Sequence, residues 1–378
     1  MITCEGFFKV LKASNLIFFT GIPDSTFKDW MKFLNYNNGL NLENIVACNE
    51  CEAIAIASGY NIATNKIGIV YMQNSGLGKT VNPLTSLCDP EVYSIPMLLM
   101  IGWRGEPGKK DAPQHMKMGK ITLSLLNTLK IPYTILEPDL ESIKKEVKRL
   151  KNYFSEYKAP YAFIIRRNFF KKYDRKKNLQ NNYQLTTKEA IKLIMDNLNN
   201  DEIIISTTGY ISRVLYEYRE SSNQNHNRNF YNVGSMGCAS SIGLSIALQK
   251  KNNSVIVFDG DGAAIMQMGA FTTIGKNSPS NFTHIILDNE VHGSTGGQPT
   301  NSSSVDFAAI ADASNYRWSI QVETKVDLLK VIKDIKNRIG PILISIKINT
   351  MTISNLKRPD RVPKEYKEEF MRYLSDLN

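Results

Sequence analysis

The sequence predicts an α/β protein of two similar-sized halves, each a mainly parallel sheet flanked by helices. Three observations predict it. Short apolar, β-branched runs recur along the 378 residues, longer amphipathic stretches separate them, and a polar, basic, Asn/Gln-rich stretch at 166–185 divides the chain. A chain of this length with 42% hydrophobic residues can bury two cores.

The apolar runs of the first half predict strands at 16–20, 68–72, 96–101 and 161–165, and those of the second half at 203–206, 254–258, 283–287 and 341–346. Helices are expected between them at 52–65, 140–153, 187–197, 239–249 and 263–275. Thr186-Thr187-Lys188-Glu189 reads as a helix start and closes the divide. The boundaries that follow are a first domain at 1–168, a basic linker at 169–185 and a second domain at 186–378.

Composition excludes several classes of function. No apolar run approaches the roughly 20 residues needed to cross a bilayer, and the first ten residues include Glu5 and lack a secretory pattern, so a cytoplasmic protein is expected. Five cysteines, an odd number thinly spread, fit reduced thiols. Cys48 and Cys51 form a CxxC, but no second closely spaced Cys/His pair completes a zinc site. The net charge of +10 calls for an anionic ligand or a polyanion. Its excess concentrates at 166–177, with seven basic residues against one acid, and at 144–151, with five against one. Runs of this kind are usually solvated surface, and no nucleic-acid-binding signature accompanies them.

The run 254–258 leads straight into Asp259-Gly260-Asp261-Gly262 and an apolar helix. A strand, a glycine turn and a helix N-terminus present backbone N–H groups to phosphate oxygens. An acid inside such a loop repels phosphate unless a cation lies between, so Asp261 implies a divalent metal. Asp288-Asn289, 28 residues after Asp261 when counted to Asn289, closes the next predicted strand and offers a second oxygen ligand. A surface turn rich in Gly and Asp is the alternative, but it leaves unexplained why an apolar strand feeds each cluster.

This pairing resembles the thiamine-diphosphate-binding motif. The resemblance implies that Gly260, Asp261, Gly262 and Ala263 meet the diphosphate, and that Asp261, Asn289 and the carbonyl of Val291 hold Mg²⁺, an all-oxygen set that this ion prefers. Thiamine must lose a proton from its thiazolium carbon, and a carboxylic acid in a dry pocket can promote this through the cofactor's own aminopyrimidine. Asn49-Glu50-Cys51-Glu52, nine residues ahead of Gly59-Tyr60 when counted from Glu50, is similar to the activating segment of thiamine enzymes and selects Glu50 over Glu52. An exposed acid at a helix start is the competing reading of either residue. In Gly234-Ser235-Met236-Gly237, Met236 resembles the wedge under the bent cofactor, with the Gly234 carbonyl on its amino group; a Met there is otherwise ordinary core.

Longer motifs narrow the resemblance. Gly21-Ile22-Pro23-Asp24-Ser25, YMQNSGLGKTVNPLTSL from Tyr71, IPMLLMIGWRGEPGKKDAPQH from Ile95 and DNEVHGSTGGQPT from Asp288 together look like the phosphonopyruvate decarboxylase family, with sulfopyruvate decarboxylases its nearest relatives. The resemblance implies a pyrimidine-binding (PYR-type) first domain and a diphosphate-binding (PP-type) second domain with no middle domain. It also implies a homodimer or higher homo-oligomer whose active sites lie at the subunit interface, with no nucleic-acid or membrane partner. The expected reaction turns phosphonopyruvate into phosphonoacetaldehyde and CO₂, a step in phosphonate biosynthesis.

A phosphonate beside a carboxylate calls for cations and hydrogen-bond donors. The candidates are Arg104, Lys109, Lys110 and His115 in the loop of the third motif, and His292, Ser294 and Thr295 after the metal Asn. Surface charge is the competing explanation for each lysine. His115, His292 and Asp24, the last in a Gly-Ile-Pro turn where related decarboxylases place a proton-relay acid, join Glu50 as catalytic candidates. Asn74, Ser75 and Asn82 are expected to line the cofactor pocket. Two positions depart from the family. Its usual acid in the KKDAPQH stretch is Ala112 here, so a loop salt bridge or a substrate-side charge should be missing, and Lys79 replaces a smaller polar residue. Sulfopyruvate or another 2-oxoacid on the same site, and a noncatalytic polyanion-binding protein, remain the alternatives.

Overall fold

The computed structural model describes residues 1–175, 181–293, 295–351 and 356–377. They fall into two compact units, 1–178 with 295–298 and 179–294 with 299–378.

The first unit carries β1 (Phe18–Gly21), β2 (Glu43–Val46), β3 (Gly68–Gln73), β4 (Met97–Gly102), β5 (Tyr133–Ile135) and β6 (Tyr161–Ile165). All pair in parallel in the order β2-β1-β3-β4-β6-β5. Its helices are α1 (Cys4–Lys12), α2 (Lys28–Asn37), α3 (Glu50–Thr64), the short α4 (Val81–Ser86), α5 (Pro113–Thr128) and α6 (Leu140–Tyr157). α3 is built of small residues because it lies close on the sheet: a Cβ on Gly68 of β3 would fall 3.2 Å from Ala57 Cβ. On another side Phe7 of α1 packs edge-on to Trp30 of α2 and to Phe169 and Phe170. Phe169, Phe170 and Tyr173, which the sequence placed in the linker, belong to this core, because their rings complete the aromatic cluster around Trp30 and Phe33.

The second unit carries β7 (Ile203–Ser206), β8 (Asn229–Tyr231), β9 (Val255–Gly260), β10 (Phe282–Asp288), the two-residue β11 (Val291–His292) and β12 (Gln298–Pro299, whose first residue counts with the first unit), β13 (Trp318–Val322) and β14 (Ile342–Lys347). Its main sheet is again all parallel, in the order β13-β14-β10-β9-β7-β8. Around it lie α7 (Thr187–Asp196), α8 (Tyr210–Ser221), α9 (Ala239–Gln249), α10 (Asp261–Met266), α11 (Ala270–Asn277), α12 (Phe307–Ala313), α13 (Lys325–Asp334) and α14 (Pro363–Asp376). α7 opens on the capping box expected of Thr186 and Glu189. The helix expected at 263–275 is two helices: it starts earlier, at Asp261, and breaks at 267–269, where Gly269 lowers helix propensity.

Both sheets therefore have fully buried central strands, such as β4, β10 and β14, that read as continuous apolar runs. In such a sheet ligand-binding loops gather at the carboxyl ends of the strands. Asp24, Ser75 and Arg104 follow β1, β3 and β4, and Met236, Asp261 and Asn289 follow β8, β9 and β10. Among the described residues no helix is long and apolar enough to cross a membrane.

Candidate active site

In the first unit, α3 begins at Glu50 with Asn49 as its cap, and the two acids of its first turn divide the work. The Asn49 side chain accepts from Glu52 N, and the Glu52 carboxylate accepts from Cys48 N, so Glu52 is spent on the helix start. Glu50 is only 7% exposed and caps nothing. Its Oε2 makes no hydrogen bond among the described residues, and the nearest cation is Lys79 Nζ at 3.7 Å. The chain thus keeps one buried carboxylate available. Gly76 makes room for it, since any Cβ there would overlap the Glu50 side chain.

Asp24 is fully buried. Burial pushes its carboxyl up, while a hydrogen bond from Gln73 Nε2 at 2.8 Å pulls the other way. Ser75, which is exposed, donates to Gln73 Oε1 at 2.7 Å, so the hydrogen-bond chain from Asp24 reaches the surface through Gln73 and Ser75. Asn74 clamps this turn: its side chain donates to Arg104 O and Thr122 Oγ1 and accepts from Arg104 N. Asn82 is exposed on α4.

Arg104 is held by the chain itself. It makes a bidentate pair with Asp111 at 2.9 and 2.7 Å and donates to Ser25 Oγ at 2.9 Å. Arg167 Nη2 reaches the same Asp111 carboxylate at 2.6 Å. Burial works against the Asp111 charge, but Arg104 and the N–H groups of Gly105 and Ala112 outweigh it and hold the carboxyl well below the usual carboxylate range. Asp111 thus carries these ion pairs of the loop, and Ala112 adds only its N–H to the Asp111 carboxylate. Lys109 and Lys110 are exposed in the preceding turn, and His115 is half-buried near the start of α5.

In the second unit the strand ends bring the expected residues together. Asp261 opens α10, 4% exposed, and accepts from the Thr300 hydroxyl. A Cβ on Gly262 would fall 3.0 Å from His292 Cε1 and 3.3 Å from Met236 Cε, so Gly262, His292 and Met236 meet around one point. Gly234, with φ of 73°, takes a backbone form that suits glycine, and its N–H donates to Thr208 Oγ1. Asn289 Oδ1 accepts from Val291 N at 3.2 Å, and Val291 O from Gly293 N at 2.9 Å, each oxygen keeping a second lone pair. Burial pushes the His292 imidazole down to about 4. Ser294 lies outside the described residues, and the Thr295 hydroxyl donates to Gln298 Oε1.

Burial and the nearby Asp288 carboxylate together push the Asp261 carboxyl up. A buried acid beside a second acid, with hydroxyl and N–H partners only, is an oxygen site suited to a hard cation. Among the described residues no three His, Cys, Asp or Glu side chains cluster to hold a metal. The residues present thus fit a magnesium diphosphate.

Several residues of the site escaped sequence reasoning. Lys347, at the end of β14, pairs with Asp288 at 2.8 Å and Glu290 at 3.0 Å, and both acids hold its ammonium well above the usual range despite burial. Ser302 donates to Asp288 Oδ1 at 2.7 Å and lies 3.0 Å from Thr300. The available signal was a lysine closing an otherwise apolar run beside the acidic 288–290 loop.

Comparison with known proteins agrees with this geometry. Residues 1–123 match the N-terminal TPP binding domain of the thiamine pyrophosphate enzymes, and residues 207–346 match their C-terminal TPP binding domain. Phosphonopyruvate decarboxylase from Streptomyces viridochromogenes is 32% identical over 86% of this chain and 84% of its own. The chain belongs to the phosphonopyruvate decarboxylase family. A second member, from Streptomyces hygroscopicus, is 33% identical over 86% of this chain and 83% of its own. The sulfopyruvate decarboxylase of Methanosarcina acetivorans is 25% identical over 96% of both chains. Membership in this family makes the chain a thiamine-diphosphate enzyme of two parallel α/β units.

Proposed function

We propose that the chain decarboxylates phosphonopyruvate to phosphonoacetaldehyde and CO₂, using thiamine diphosphate and Mg²⁺, as a step in phosphonate biosynthesis in the cytoplasm. The observation that carries the chemistry is Glu50, a buried carboxylate that its own helix start leaves unused. The substrate rests on the Streptomyces relatives, whose likeness extends over most of the chain.

When bound, thiamine diphosphate supplies the electron sink for the pair left behind as CO₂ departs. Asp261, Asn289 and the Val291 carbonyl hold the metal, and the backbone of Gly260, Gly262 and Ala263 meets the diphosphate. Met236 would support the bound cofactor, and the Gly234 carbonyl would accept from its amino group. Glu50 Oε2 holds the proton shared with the pyrimidine nitrogen, and Ser75 and Asn82 border that end. Replacing CO₂ at the former ketone carbon takes one proton. His292, kept neutral by burial, His115 and Asp24 handle it, with Gln73 and Ser75 orienting the Asp24 carboxyl. Lys109 and Thr295, with the N–H groups of Arg104 that Asp111 and Ser25 leave over, take the substrate's anionic groups.

The working unit is a homodimer or larger homo-oligomer, with Glu50 of one chain serving the diphosphate end of another. The naming of sulfopyruvate decarboxylase relatives as alpha and beta subunits supports assembly. The Methanosarcina relative favours sulfopyruvate as a second reading. The test is aldehyde and CO₂ release from phosphonopyruvate, sulfopyruvate and pyruvate, with Glu50→Gln as control. Phosphonopyruvate should give the highest kcat/KM, and Glu50→Gln should bind cofactor yet lose most turnover. Preference for sulfopyruvate would move the chain to the second reading, and full activity of the variant would remove Glu50 from its role.

A further inference from the structure

Three acids belong to the segments that carry the proposed metal ligands, though as the chain is folded they form no three-acid cluster among the described residues. Asp261 is one, and Asp288 and Glu290 directly flank Asn289. A cation arriving there could meet one acid or three, and the difference matters. Mg²⁺ takes a small octahedron with one or two carboxylates, phosphate and water, whereas Ca²⁺ accepts six to eight oxygens and bidentate carboxylates.

Asp288 and Glu290 are both committed elsewhere, and one residue does most of it. Lys347 is the register partner of Asp288 across β10 and β14, and its side chain is 7% exposed. Its ammonium lies 2.8 Å from Asp288 Oδ2 and 3.0 Å from Glu290 Oε1, and 5.8 Å from the centre of the Tyr183 ring. The Tyr183 hydroxyl donates to the same Glu290 oxygen at 3.0 Å. The other Asp288 oxygen accepts from Ser302 Oγ at 2.7 Å and Glu290 N at 3.1 Å. Thr300, against both Ser302 and Asp261, ties this arrangement to the ligand itself.

We propose that Lys347 sets the cation preference of the Asp261–Asn289 site by keeping the Asp288 and Glu290 carboxylates out of the coordination shell. The proposal rests on the metal site assigned above. Without Lys347, Asp288 and Glu290, which flank the proposed ligand Asn289, lose the one cation that pairs with them among the described residues, and the ion becomes the alternative partner. A shell with more carboxylates suits Ca²⁺ better than Mg²⁺.

The experiment is calorimetric titration of the full chain, with thiamine diphosphate present and substrate absent, by MgCl₂ and separately by CaCl₂. Lys347→Met should shift the ratio of the two affinities toward Ca²⁺ by about tenfold, the lower end of what changes just outside a ligand set cost in metal affinity. Adding Asp288→Asn and Glu290→Gln to that chain should return the ratio toward the wild-type value. If Lys347→Met does not fold, Lys347→Gln is judged by the same ratio. A merely structural lysine weakens both ions equally, so an unchanged ratio in a folded variant overturns the proposal. A wild-type chain that binds neither ion, or an Asp261→Ala chain that binds both undiminished, overturns the metal site and the proposal with it.

Discussion

A Cβ on Gly76 would lie 2.3 Å from Glu50 Oε1 and 2.5 Å from its Cδ and Cγ, so the glycine and the carboxylate compete for one space. The SGLG turn after β3 is thus the wall that aims Glu50. Gly76→Ala should displace the end of a flexible side chain, which costs stability only modestly, under about 2 kcal/mol. Activity should fall far more, by about 100-fold, because a shift of about 1 Å in a reacting group has that effect. Thermal unfolding and steady-state rates measured on the same preparation check it; unchanged rates would show that Glu50 does not need this wall.

Asp111 anchors Arg104 and Arg167 from a nearly buried position, its side chain 4% exposed. Asp111→Asn should destabilise the fold by about 3 kcal/mol at pH 7, as expected when one partner of a buried pair is removed. The sign with pH follows from the depressed carboxyl. A folded-state value below the unfolded one contributes stability that is fully present above about pH 4 and is lost as pH falls through the folded value. The gap between wild type and variant, followed by urea unfolding, should therefore be constant from pH 7 to 5 and close in stronger acid.

Gly119 of α5 sits against the turn that carries Arg104. Its carbonyl accepts from Trp103 Nε1 at 2.9 Å, and a Cβ on it would fall 1.8 Å from Gly105 O. Backbone cannot yield as a side-chain tip can, so Gly119→Ala should cost about 3 kcal/mol, the upper range for overpacking. A melting temperature within a degree of wild type would contradict this close approach.

Asp261→Ala removes the one carboxylate of the proposed metal set. Retention of thiamine diphosphate with MgCl₂, measured by equilibrium dialysis, should weaken by at least about 100-fold, the upper end of what outer-shell changes alone cost. The variant should still fold, since removing the acid also removes the repulsion with Asp288 that raises its carboxyl. Undiminished retention would place the diphosphate elsewhere.

The strands that the sequence revealed and those it hid differ in one respect. The eight expected strands are β1, β3, β4, β6, β7, β9, β10 and β14, every one with a neighbour on each side. Six were missed: β2, β5, β8 and β13 are the edges of the two main sheets, and the two-residue β11 and β12 pair only with each other. A central strand is buried on both faces and must be apolar throughout, whereas β2 alternates exposed and partly exposed residues and β5 is half-buried along its length. Their pairing comes from the neighbour's backbone, which leaves little mark on side-chain choice. The same reasoning explains the linker: Phe169, Phe170 and Tyr173 stand among basic residues, and only packing against Trp30 and Phe33 shows that they are core.

The candidate site was legible where chemistry demands particular residues in a particular local order. Asp261 after a strand and glycine turn, Asn289 at the next strand end, and Glu50 before a helix of small residues could all be named as candidates from the chain alone, because each proposed role depends on a local backbone form. The commitments of those groups could not. That Glu52 is spent on a cap while Glu50 is spared, that Asp111 ties down Arg104 and Arg167, and that Lys347 holds the acids beside Asn289 all depend on which side chains meet across strands and turns. A hydrogen bond or ion pair has a range of a few ångströms. Local periodicity and motif determined the two parallel sheets and the cofactor class, and tertiary proximity alone decided which of several equivalent acids and cations remained free to act.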